Sequence, residues 1–284
     1  MSTPAWFTDA IAQPYDALDL EVEGLRIAYR AWGKSGDPSV VLVHGGAANS
    51  AWWDHVAPFL AVEHRVLAID LSGHGSSEHR QNYSLDSWAD EVLAVARHES
   101  DARPVIIGHS MGGFVALTAA RHHGQDVRGV AAIDSPVREM SPEAREWLKN
   151  TSRLPRHRVH PDKQTVVARF KSLPDDEGLE YIRRHIAEQS VREVEGGWSW
   201  AFDPQIFLSS QMEPEDLAAA GCEVALVRGE RGMATTDITE SVTEILGGHV
   251  PVTLVPDAGH HIMLDQPIAL IALMQTLIGQ WRAP

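Results

Sequence analysis

Six short, mostly apolar runs rich in β-branched residues punctuate the chain: Val40–Val43, Val66–Ile69, Val105–Ile107, Val127–Ile133, Val224–Val227 and Val252–Val255. A continuous apolar run of this length, closed by glycine or polar residues, is the pattern of a strand covered on both faces. Helical patterning fills several of the intervals. Tyr83 to Arg97 aligns Leu85, Trp88, Ala89, Val92, Leu93 and Ala96 on one face, and Met111 to His122 is small and apolar. Pro267 opens a last helix over Ile268–Trp281, where its missing N–H costs nothing. Strands alternating with helices require crossover connections, so the expected fold is α/β with a mainly parallel, doubly wound sheet. Leu20–Val22 and Leu25–Ala31, parted by Gly24, read as an antiparallel hairpin at its edge.

The rhythm breaks between Val137 and Met212. No buried strand is expected there, and Pro142–Leu148, Lys163–Leu173 and Glu177–Val194 are the helix candidates. The domain reading is therefore a core of residues 1–136 and 213–284 interrupted by an insertion, 137–212. In open α/β sheets such an insertion sits above the carboxyl ends of the strands, where sites are built.

Charge narrows the partners. With 24 Lys and Arg against 39 Asp and Glu, the net charge of −15 leaves no basic footprint for nucleic acid or anionic membranes. The most apolar stretch, Ile268–Ile278 between Asp265 and Arg282, is too short to span a bilayer. The first residues lack a cationic stretch leading into an apolar one, and the single cysteine, Cys222, excludes an internal disulfide framework, so a cytoplasmic protein is expected. Fifteen histidines lack any metal-binding spacing, and no cofactor is expected.

Chemistry concentrates in Gly108-His109-Ser110-Met111-Gly112-Gly113. It follows the strand Val105–Ile107 and opens an apolar helix, the context in which G-x-S-x-G places a serine on a sharp turn. Ser110 is the candidate nucleophile. The Met111 N–H and an amide of the glycine loop after Val43, with Gly46 the candidate, are positioned to receive an oxyanion. Asp257-Ala258-Gly259-His260-His261 follows the last strand and supplies a histidine at the same end of the sheet.

These landmarks, with His44-Gly45-Gly46 and Asp70-Leu71-Ser72-Gly73-His74-Gly75, resemble the α/β-hydrolase family in order and over the whole chain except the insertion. The resemblance implies an α/β-hydrolase sheet with a helical cap over 137–212. It also implies that His260, directly after glycine, is the base, and that the Asp70 loop is structural. It does not settle the triad acid. Most members carry it in G-x-x-D after the strand read here as Val224–Val227, but this chain has Gly229-Glu230-Arg231-Gly232. Some small esterases of the family place it after the strand that follows the nucleophile helix, which points to Asp134. Glu230 and Asp237 are rivals, although a capping pattern with Glu240 accounts for Asp237, and Asp257 reads as a turn former.

The implied activity is a cofactor-free serine hydrolase of small apolar carboxylic esters. Lactone or carbon–carbon bond hydrolysis by the same triad is an alternative, as is a weakly catalytic ligand-binding member. Serine at the turn argues against the aspartate-dependent dehalogenases and epoxide hydrolases. Trp52, Trp53, Trp147 and Trp200 are the aromatic candidates for the substrate pocket, with ring anchoring of the insertion as the competing role. Arg183, Arg184 and Arg192 read as a solvated helix face. The sequence leaves the oligomeric state open.

Overall fold

The computed structural model describes residues 3–174, 178–209 and 211–281. Every expected strand is present, most within a residue or two of its expected bounds and the first beginning four residues earlier: β1 (Asp16–Val22), β2 (Leu25–Trp32), β3 (Ser39–Val43), β4 (Arg65–Ile69), β5 (Val105–His109), β6 (Gly129–Ile133), β9 (Glu223–Gly229) and β10 (Val252–Val255), with β7 (Val191–Val194) and β8 (Gly197–Trp200) inside the insertion. One eight-stranded sheet runs β1-β2-β4-β3-β5-β6-β9-β10. β2 is antiparallel to both neighbours, and all other pairs are parallel.

Strands β3 to β6 are buried at every position because both faces are covered. Alternate side chains feed two separate cores, as the two-residue period of a strand demands. Val41, Val43, Leu67, Ile69 and Ile106 pack with the helices Leu85–Glu99 and Met111–His123 on one face. Val40, Leu42, Val66, Ile107 and Ile133 meet the helix Pro267–Gln280 on the other. The sheet order reverses at β3, with β4 on one side and β5 on the other. A crevice opens beyond the strand ends at such a reversal, and the loops after β3 and β5 border it.

The insertion between β6 and β9 differs from its expected form in two places. The helix expected over Lys163–Leu173 spans only Lys163–Val167, and the chain then turns so that Phe170 approaches Trp52 and Trp200. The candidate over Glu177–Val194 ends at Gln189; its expected start, Glu177, lies outside the described residues, as does Arg282. Val191 to Trp200 is instead a hairpin, reversed at Glu195-Gly196 with Gly196 at φ +85°. β-Branched Val191 and Val194, with a glycine able to take the left-handed conformation, override the helical pattern. The hairpin joins the core through Gly75 N–H to Ala201 O (2.7 Å) and Asp203 N–H to Gly73 O (2.7 Å). Arg192 therefore lies half-buried on a strand, while Arg184 does sit on a solvated helix face.

Trp53 is fully buried in the second core cluster and is not a pocket residue. It shares the 3₁₀ turn Ser50–Trp53 with Trp52, and successive side chains in such a turn point about 120° apart.

His55 sits under this turn, fully buried; its Nε2–H donates to the Met263 carbonyl (2.9 Å), and Nδ1 has no partner among the described residues. Burial lowers its pKa to about 4. The unfolded chain then takes up a proton near pH 6.5 that the folded chain refuses until about pH 4, so stability falls as pH drops through that interval. The loss is about 3 kcal/mol from this residue. In urea unfolding, the advantage of the wild type over His55→Gln should shrink by about this amount between pH 7 and pH 4; a constant gap would refute the assignment.

Candidate active site

The turn after β5 holds Ser110 at φ +53°, ψ −118°, a conformation costing roughly 1–3 kcal/mol that packing must enforce. Its N–H is fixed to the Ile133 carbonyl (2.8 Å), and a Cβ on Gly108 would lie 2.0 Å from the Gly112 carbonyl oxygen. The strand and helix can close on each other only without that atom. Ser110 thus caps the helix Met111–His123 without using its own hydroxyl. Met111 N–H is the first amide of that helix and has no acceptor within it.

His260 lies in the loop after β10, almost completely buried. Its Nε2 is 3.1 Å from Ser110 Oγ and its Nδ1 is 2.6 Å from Asp134 Oδ2. With the carboxylate ionised, Nδ1–H donates to Asp134, which leaves Nε2 to accept the Ser110 proton. Asp134 follows β6 at φ +45° and is wholly buried. Burying a charge is costly unless it is fully hydrogen-bonded. Here Gly229 N–H donates to Oδ1 (3.1 Å), Met233 N–H to Oδ2 (2.7 Å), and the Asp134 backbone N–H reaches the Val227 carbonyl (2.7 Å).

The departure of the Gly229–Gly232 loop from the family pattern now has a physical account. A Cβ on Gly232 would sit 2.0 Å from Asp134 Oδ1. A carboxylate arriving from β6 occupies the space against this loop and accepts the Gly229 and Met233 amides. Glu230 is exposed and accepts from Asp257 N–H (2.9 Å). Asp237 is exposed and bonded to Thr235 Oγ1 (2.5 Å). Neither shares a hydrogen bond with His260. The cap expected at Asp237 and Glu240 is not formed: the helix Thr236–Ile245 begins after Thr235, with Asp237 in its first turn.

Two histidines carry positions that sequence reasoning passed over. His109 Nε2–H donates to the His260 carbonyl (2.9 Å), fixing the backbone of the imidazole that faces Ser110. Burial, then the neighbouring His260 and His261 rings, push the His109 pKa well below the ordinary range, so it remains neutral. His44 Nδ1–H donates to the Gly45 carbonyl (2.7 Å) and its Nε2 accepts Leu71 N–H (3.2 Å), which shapes the glycine loop after β3. Their one signal was adjacency to the two glycine motifs. Asp70 is structural, accepting Ser50 N–H (2.6 Å) and Ser76 N–H (2.8 Å).

Ser110 and His260 face a cavity of about 490 Å³ that Gly46, Met111, Trp52 and Trp200 also line, with Phe114, Phe170, Phe202 and Phe207 adding apolar surface. His261 borders it, its ring 5.4 Å from that of Trp52. Trp147 does not: it is half-exposed and lines a separate hollow with Leu148. Among the described residues no His, Cys, Asp and Glu side chains group to hold a metal, and no helix is long and apolar enough to cross a membrane.

Comparison with known proteins agrees with this geometry at the level of fold and broad activity. An esterase of Mycobacterium tuberculosis is 26% identical over 268 residues, 90% of this chain and 88% of the relative. A pimeloyl-[acyl-carrier protein] methyl ester esterase of Vibrio atlanticus is 28% identical over 243 residues, 80% and 84% of the two chains. Among solved structures, a thioesterase domain from the curacin biosynthetic pathway superposes with a TM-score of 0.79 at 23% identity, covering 92% of this chain and 99% of that one. Relatives named as esterases and hydrolases support a hydrolase of esterase type. Residues 40–273 match the Alpha/beta hydrolase family, and the chain belongs to it.

Proposed function

We propose that the protein is a serine hydrolase that cleaves small carboxylic esters through an acyl-enzyme, with Ser110, His260 and Asp134 as its triad. The observation that carries this reading is the unbroken chain of two hydrogen bonds, Asp134 to His260 to Ser110, ending at the wall of an aromatic-lined cavity.

In the first step His260 Nε2 takes the Ser110 proton as Oγ attacks the ester carbonyl. Negative charge collects on the carbonyl oxygen and is received by the amides of Gly46 and Met111, the latter at a helix N-terminus that favours anions. The imidazolium, held by Asp134, then protonates the departing alkoxide. Water enters, gives its proton to His260, and attacks the acyl-enzyme; Ser110 leaves as the alcohol and the acid is released. Asp134 keeps Nδ1 protonated throughout and never gives up its charge. Residues 137–212 act as a cap, with Phe170, Trp200, Phe202 and Phe207 supplying an apolar wall for the acyl or alcohol chain.

A fluorophosphonate probe should label the wild type, and Ser110→Ala should abolish both labelling and p-nitrophenyl ester turnover. Labelling that persists in that variant removes Ser110 from the mechanism.

Asp134→Asn should lower kcat by ~10⁴, the scale seen when the imidazole loses its orienting carboxylate. Glu230→Gln and Asp237→Asn should leave kcat essentially unchanged. A large loss in either of these, with Asp134→Asn active, would transfer the acid to the loop.

Gly232→Ala touches no reacting atom, yet its methyl must displace the Asp134 carboxylate. A fall in kcat of about 10²-fold with KM little changed is expected, the usual cost of misplacing a catalytic group by about 1 Å. Unaltered kcat would show that the loop does not position the acid.

A further inference from the structure

A second cavity, about 480 Å³, lies between the insertion and the core segment bearing His79, and shares a wall with the catalytic one; His157, Trp200 and Phe202 line both. The two differ in chemistry. Three guanidinium groups, Arg153, Arg156 and Arg192, converge on the second, together with the imidazoles of His79 and His157.

Carboxylates do not balance them. Asp203 is committed locally: it accepts from Tyr83 Oη (3.0 Å) and Gln205 N–H (3.1 Å) and pairs with His79 Nδ1 (3.4 Å). Glu195, the other acid of the lining, is exposed. Arg153 and Arg156 form no ion pair among the described residues. Arg192 donates from Nη1 to His79 Nε2 (3.2 Å), an imidazole where a carboxylate would be the ordinary partner. Its Nε and the Nε2 of His157 are buried and have no hydrogen-bond partner among the described residues. Both imidazoles are held below the ordinary range, by burial first and then by the nearby Arg192 charge. Three guanidinium groups thus line one cavity in a molecule of net charge −15, against two acids of which Asp203 is already engaged by Tyr83, Gln205 and His79. The insertion that gathers them, residues 137–212, holds 12 of the 24 Lys and Arg and 12 of the 39 Asp and Glu, so it is neutral while the core carries the whole negative balance.

The geometry points to a binding site for a phosphate-type dianion in this cavity, with Arg153, Arg156 and Arg192 as its ligands. Planar guanidinium groups bind such oxyanions through paired hydrogen bonds, and Arg192 carries an Nε–H that no group among the described residues satisfies. The anion comes either from a phosphorylated tail of the substrate or from a separate effector. In both cases it contacts the wall that shapes the catalytic cavity.

The test uses pyrophosphate as the probe on the full chain, at constant ionic strength set with chloride, read by tryptophan fluorescence and by calorimetry. Saturable binding is expected, with Kd raised at least tenfold in Arg153→Gln/Arg156→Gln, two exposed positions whose exchange leaves the fold intact, and also in Arg192→Lys. Absence of saturable binding, or an equal Kd in all three proteins, overturns the proposal. Because binding is measured without turnover, this result is separable from the failure of the Ser110 mechanism. The kinetic arm identifies the source. Pyrophosphate that competes only against esters bearing a phosphate group assigns the site to the substrate's tail. Pyrophosphate that also changes kcat or KM for p-nitrophenyl butyrate assigns it to an effector. Loss of either effect in Arg153→Gln/Arg156→Gln is required in both cases.

Discussion

The buried carboxylate of Asp134 is the constraint to which the rest of the site answers. It leaves the end of β6 in a left-handed backbone conformation and is removed from water entirely. A lone carboxylate in that position would be prohibitively costly. An amide at the end of β9, another in the loop after it, and the imidazole from the loop after β10 make it tolerable. One charge therefore ties three strand ends together. The bond to His260 is the one with chemical consequence, because it leaves Nε2 directed at Ser110.

The same logic runs outward through the neutral histidines. His109 anchors the His260 backbone, and His44 braces the glycine loop on the opposite side of Ser110. Both rings are pushed below the ordinary imidazole range, burial being the first cause in each. Of these buried rings only His260 bridges Asp134 and Ser110. A site dense in imidazoles thus contains one whose two ring nitrogens are engaged by Asp134 and Ser110.

What was legible in the sequence was what is local. Strands covered on both faces announce themselves as short β-branched runs, and a serine turn between strand and helix carries its glycines with it. The proposed acid was legible only through family resemblance, since Asp134 and Gly232 are 98 positions apart and their reciprocal fit, a missing Cβ against a carboxylate, has no local signature. Trp52 and Trp53 could not be separated because neighbours in a 3₁₀ turn face different surroundings, one the cavity and one the core. The hairpin Val191–Trp200 was masked by a helical pattern continuing from Glu180, although Val191, Val194 and the glycines at 196 and 197 were the signal for it. The error hid Arg192, which a helix face would have placed in solvent.

The most direct test of the central claim is a crystal structure of the protein after reaction with a small alkyl fluorophosphonate. The account predicts phosphorus bonded to Ser110 Oγ and a phosphoryl oxygen within hydrogen-bonding reach of the Gly46 and Met111 amides. His260 should still be bonded through Nδ1 to Asp134. A phosphonylated Ser110 whose neighbouring His260 turns to Glu230, to Asp237 or to solvent, with Asp134 left to the loop amides alone, would contradict it.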